Sequence, residues 1–65
     1  MKIICNSEVR DVVGTTLAIV LEELGFAGAV VATAVNGAFV PATTRHLASL
    51  KSGDAIEVLA PMQGG

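Results

Sequence analysis

The apolar positions of the chain fall into five short runs and one helical stripe, each bounded by turn residues. KIICN and VRDVV are β-branched runs around the polar break Asn6-Ser7-Glu8, and they predict a β-hairpin. Asn-Ser is a weaker turn signal than Asn-Gly, so the hairpin's register stays open. Gly14 then punctuates, and Thr15 or Thr16 can cap a helix by accepting a backbone N–H. Leu17, Val20, Leu21 and Leu24 follow at i, i+3, i+4, i+7, one apolar stripe on one helix face. Glu22 and Glu23 lie off the stripe as a solvated face, and Gly25 is a natural stop.

The second half reads as strands. AVVATAV is too short and too β-branched for a second helix. Asn36-Gly37 is the strongest hairpin dipeptide, because a type I′ turn needs positive φ twice, and this turn chemistry accounts for both residues. AFV returns as a short strand before Pro41, which cannot donate to a ladder and belongs at an edge or an end. ATTRHLASLKSG has no clear period and predicts an irregular crossover with one helical turn. AIEVLA is the last strand, with Ile56 and Val58 alternating against Glu57. The order is ββαβ, a short β, a loop, then β: one helix across one face of a mixed sheet of four to five strands, an α+β fold.

Alternation then creates a question. If Ile3, Cys5, Ile56 and Val58 face the helix, Ile4 and Leu59 turn outward, and one helix cannot cover both faces. An adjacent apolar pair left uncovered near the end of the chain is a candidate docking patch.

Composition narrows the class. The chain has 65 residues and is read as one domain, 1–65, with a Gly-Gly tail at about 61–65. A domain this small buries only about 60% of its unfolded surface, so it must use its apolar residues well. Those make up 52% of the sequence against 15% charged, which excludes disorder over most of the length. With a net charge of −2, scattered basic residues and two aromatics, Phe26 and Phe39, nothing suggests nucleic-acid binding. No apolar stretch approaches a membrane span or a signal-peptide core, so the expectation is a soluble cytoplasmic domain. Cys5 alternates with Ile3 and is expected in the core; His46 has no acidic or cysteine neighbour at ligand spacing and reads as a surface residue. No metal site or bound cofactor is expected.

The tail is the feature the core does not explain. Gly64 and Gly65 add nothing to packing, and glycine is the residue that most resists ordering. Taken with the hairpin, the capped helix, AVNGAFVP and LKSGDAIEVLAPMQGG, it resembles the ThiS family of sulfur carriers of thiamin biosynthesis, ubiquitin-like β-grasp proteins. The resemblance spans essentially the whole chain. Its specific parts are Val35–Gly37, Val40-Pro41, Gly53-Asp54 and Gly64-Gly65, in that order. Asn6-Ser7 where Asn-Gly is common, and Val13-Gly14 where the approach to the helix is more polar, are departures that leave the tail untouched.

The resemblance implies a protein co-substrate with no catalytic residues of its own. A ThiF-like adenylating enzyme would use ATP to activate the Gly65 carboxylate. Sulfur from a cysteine desulfurase would convert it to a thiocarboxylate, and a ThiG-like thiazole synthase would accept the sulfur. Gly64, Gln63 and Met62 would thread into the partner as a mobile arm, with Ile4 and Leu59 as docking residues. The alternatives are the molybdopterin synthase small subunit, another ubiquitin-like or tRNA-thiolation carrier, and a β-grasp interaction module whose terminus is never modified.

Overall fold

Both hairpins turn on two residues of left-handed backbone. Asn6 and Ser7 have φ of 49° and 71°, and Asn36 and Gly37 have φ of 50° and 84°. Each pair is the centre of a type I′ turn, whose twist matches the strands it joins. Asn6-Ser7 therefore turns as tightly as Asn36-Gly37, because Asn tolerates this region and Ser7 is held by the paired strands around it. The structure is a computed structural model and describes residues 1–60.

Strand β1 (Lys2–Cys5) pairs antiparallel with β2 (Glu8–Asp11), with Cys5 opposite Glu8 across the turn. Helix α1 (Leu17–Glu23) follows. Strands β3 (Ala32–Val35) and β4 (Ala38–Val40) form the second hairpin, and β5 (Ala55–Leu59) closes the described chain. The sheet order is β2-β1-β5-β3-β4, with β1 and β5 parallel and the other pairs antiparallel. A mixed five-stranded sheet with one helix on one face is the expected α+β architecture.

Thr16 is the helix cap: its backbone is extended and its Oγ1 accepts from the Ile19 N–H at 3.4 Å. At the other end Gly25 has φ 92°, the Gly25 N–H donates to the Glu22 carbonyl and the Phe26 N–H to the Leu21 carbonyl. These two bonds around a left-handed glycine make a Schellman stop. Leu17, Val20 and Leu21 are buried on the stripe against Ile3, Cys5, Ile56 and Val58, with Val12 and Leu50 completing the core.

The crossover is more ordered than its sequence suggests. Ala42–Leu47 is a six-residue 3₁₀ helix that starts after Pro41, where the edge strand β4 ends. It is held by Arg45, whose Nε donates to Thr33 Oγ1 at 3.0 Å and whose Nη2 donates to the Val31 carbonyl. Thr33, buried in the sheet, donates in turn to the Val40 carbonyl at 2.8 Å. One buried hydroxyl thus ties β3 to β4 and to the crossover. Beyond it, Leu17 N–H to Ala48 carbonyl (2.9 Å) and Leu50 N–H to Thr15 carbonyl (2.8 Å) lash the chain to the start of α1.

Glu23 corrects the picture of a purely solvated helix face. Its carboxylate accepts from the backbone N–H groups of Val13 (2.8 Å) and Gly14 (2.5 Å), satisfying two donors of the loop entering the helix. Glu22 is exposed, as expected.

Candidate functional site

The residues with intrinsic reactivity sit away from any cluster. Cys5 is buried, and burial pushes its thiol above the ordinary range; nearby Arg10 opposes that rise and Glu8 adds to it. A protonated, buried thiol is inert as a nucleophile. His46 is exposed on the 3₁₀ helix. Among the described residues no group of three His, Cys, Asp or Glu side chains could hold a metal ion, and no helix is long and apolar enough to cross a membrane.

The sheet face opposite the helix is a stronger feature. In register, Val9 lies opposite Ile4, Ile4 beside Ala55, Glu57 opposite Ala34, Ala34 opposite Phe39, and Leu59 opposite Ala32. Directly opposite residues point to the same side of a sheet. The open face is therefore Val9, Ile4, Ala55, Leu59, Ala32, Ala34 and Phe39, with Glu57 near its middle and the Lys2–Asp11 pair at its β1–β2 end. Ile4 is 38% exposed, Val9 66%, Leu59 64% and Phe39 70%.

Ile4 and Leu59 face outward as alternation requires, yet they are not adjacent. Parallel pairing sets Ile4 beside Ala55, which leaves Glu57 between the two along β5. A groove of about 480 Å³ runs along this stretch, with Ile4, Ala55, Glu57, Leu59 and the Asn6-Ser7 turn on its walls. Val9 and Phe39 went unnoticed in the sequence because their side is fixed by pairing across strands, and the register of β1 with β2 was open there. Their only trace was the alternation of each short run.

Two asparagines fix the strand that carries this face. Asn6 donates from Nδ2 to the Val58 carbonyl at 3.0 Å and accepts from the Val58 N–H at 2.9 Å. Asn36 donates from Nδ2 to Asp54 Oδ1 at 3.0 Å, and its Oδ1 accepts from the Ala55 N–H at 2.9 Å. The carboxamide of Asn36 therefore does more than suit a turn: it joins the Asn36-Gly37 and Gly53-Asp54 segments. Asp54 is 4% exposed. The Lys51 N–H, then the Asn36 carboxamide, hold its carboxyl below the ordinary carboxylate range, with the Lys51 ammonium at 3.2 Å adding to this against the cost of burial. These bonds clamp both ends of β5, the strand that leads directly into residues 61–65.

Met62, Gln63, Gly64 and Gly65, the expected tail residues, lie outside the described residues. A family model for the ThiS family matches residues 3–65. No curated protein matches the chain. The crystal structure of a thiamine biosynthesis protein (ThiS) from Geobacter metallireducens is similar at 29% identity and TM-score 0.84, covering 100% of both chains. An NMR solution structure of a thiamine biosynthesis protein from the same organism is similar at 28% identity and TM-score 0.77, covering 100% of this chain and 88% of that one. With the family model spanning all but the first two residues and the same β-grasp arrangement of strands and helix, the chain belongs to the ThiS family.

Proposed function

We propose that the chain carries sulfur for thiazole formation in thiamin biosynthesis as a thiocarboxylate on Gly65. The observation that supports this reading is the ThiS family match, which includes Gly64 and Gly65 together with the two clasped turns. A carboxylate at neutral pH is a poor electrophile. An adenylating enzyme of the ThiF type removes that difficulty: a Gly65 carboxylate oxygen attacks the α-phosphorus of ATP, and pyrophosphate leaves. The terminal sulfur of a cysteine persulfide from a desulfurase then attacks the acyl carbon and AMP leaves. A thiol cleaves the resulting S–S bond, taking up the cysteine sulfur and releasing the Gly65 thiocarboxylate, which a ThiG-type thiazole synthase consumes.

Glycine at both final positions permits close approach of the activating site to the acyl group. Gly64, Gln63 and Met62 thread toward that site, Met62 as an adaptable apolar filler. Ordering two glycines costs about 2–4 kcal/mol of backbone entropy. Full burial of a Leu or Ile side chain contributes about 1.5–3 kcal/mol. Scaled by the exposed fractions of Leu59 (64%) and Ile4 (38%), covering both contributes about 1.5–3 kcal/mol. Those two contacts alone roughly offset the ordering cost, and Val9 and Phe39 on the same face add more.

Intact mass tests the proposal. Incubated with ATP, a ThiF-type enzyme and a persulfide donor, the chain should gain the mass of sulfur replacing one oxygen, and a chain lacking Gly65 should not. No gain with the full chain, under conditions where the enzyme activates a known carrier, refutes it. Loading that supports molybdopterin formation, and not thiazole formation, would move the chain to another branch of carriers.

A further inference from the structure

Apart from the Lys2–Asp11 ion pair at its β1–β2 end, the open face carries one charge, near its middle. Glu57 is exposed on β5 between Ala55 and Leu59, opposite Ala34, on the wall of the groove. The sequence has four basic side chains, and all lie in the described residues. Lys2 pairs with Asp11 at 3.6 Å and Lys51 with Asp54 at 3.2 Å. Arg45 is bonded to Thr33 and Val31. Arg10 lies opposite Ile3, on the helix side of the sheet. None of the ion pairs among the described residues involves Glu57.

An apolar surface laid over this face would strip water from a carboxylate that has no cation. Burying an unpaired charge is strongly unfavourable, whereas an ion pair with good geometry recovers most of that cost. From the charge and the shape of the groove we infer that the adenylating partner places an Arg or Lys side chain in it. The aliphatic stem lies along Ile4, Ala55 and Leu59, and the cationic head meets the Glu57 carboxylate. Arg and Lys are the side chains that combine an apolar stem with a charged tip. The pair sets the register of docking on a face whose apolar residues, being non-directional, define none. This inference rests on the carrier reading above.

Titration calorimetry with a ThiF-type adenylating enzyme at low and high salt tests it, using the wild type, Glu57→Gln, Glu57→Lys and Leu59→Ala. Thermal melts check folding and sedimentation checks self-association. Glu57→Gln, which keeps size and shape, should weaken binding about tenfold and flatten the salt dependence. Glu57→Lys should weaken it about a hundredfold or more. If Glu57→Lys fails to fold, Glu57→Gln decides alone. Wild-type affinity in Glu57→Gln together with weakened Leu59→Ala overturns the cation and leaves the docking face standing. Self-association of Glu57→Gln at unchanged enzyme affinity also overturns it, because the charge then serves to keep copies apart. A wild type that gains no sulfur mass removes the carrier reading itself, and this inference with it.

Discussion

Replacing Thr33 by Val swaps a hydroxyl for a methyl of nearly the same shape, at a sheet position that is 2% exposed. Reasoning from burial alone, the change should stabilise the core by about 0.8 kcal/mol. The hydrogen bonds point the other way. Thr33 Oγ1 donates to the Val40 carbonyl, a neutral bond contributing about 0.5–1.5 kcal/mol, and accepts from the Arg45 Nε, a charge-assisted bond contributing about 1.5–3 kcal/mol. Losing both against the gain of a methyl gives a net destabilisation of about 1–4 kcal/mol. Arg45 is half-exposed and keeps its bond to Val31, which favours the lower half of that range. A 65-residue domain has a total stability of about 3–10 kcal/mol, so the loss is large in proportion. With no Trp or Tyr in the chain, urea unfolding followed by far-ultraviolet circular dichroism is the suitable assay. Thr33→Ser, which keeps the hydroxyl and loses the methyl, is the control and should be the more stable of the two variants. A Thr33→Val protein as stable as the wild type, or more stable than Thr33→Ser, would show that burial and not the hydroxyl network holds β3 to its neighbours.

Gly14→Ala should cost about 1–3 kcal/mol in the same assay, because the new Cβ would stand 2.6 Å from Glu23 Oε2 and collide with Ile19, breaking the carboxylate's hold on the loop. A melt unchanged from the wild type would show that the loop accommodates the methyl freely. Asp54 gives a pH dependence of defined sign. Its carboxyl titrates lower in the folded chain than its ordinary 3.8, so its contribution is fully present above about pH 4 and fades as pH falls through the folded value. The wild type should therefore out-melt Asp54→Asn at neutral pH, with the gap narrowing below that point; a gap that stays constant down to pH 2 contradicts the assignment.

How much of this was legible in the sequence depends on how far along the chain each cause reaches. The helix stripe, its threonine cap, its glycine stop and the Asn36-Gly37 turn are decided by residues within a few positions of one another, where side-chain periodicity and local backbone preference act. Family resemblance added what no local preference carries, the β-grasp arrangement, and it is the source of the role proposed for Gly64-Gly65. The parallel pairing of β1 with β5 is of another kind, since it joins residues about fifty positions apart, and only the folded sheet fixes its register. That register separates Ile4 from Leu59, sets Glu57 between them, and brings Val9 and Phe39 onto the same open face. The same holds for polar side chains whose partners are distant: Asn36 with Asp54, Arg45 with Thr33, and Glu23 with the loop before its own helix. Each looked locally explained as a turn former, an irregular loop residue or a solvated charge. A hydrogen bond is short and directional, so its partner is chosen by the packed geometry, whereas burial of an apolar stripe needs only a face to turn toward.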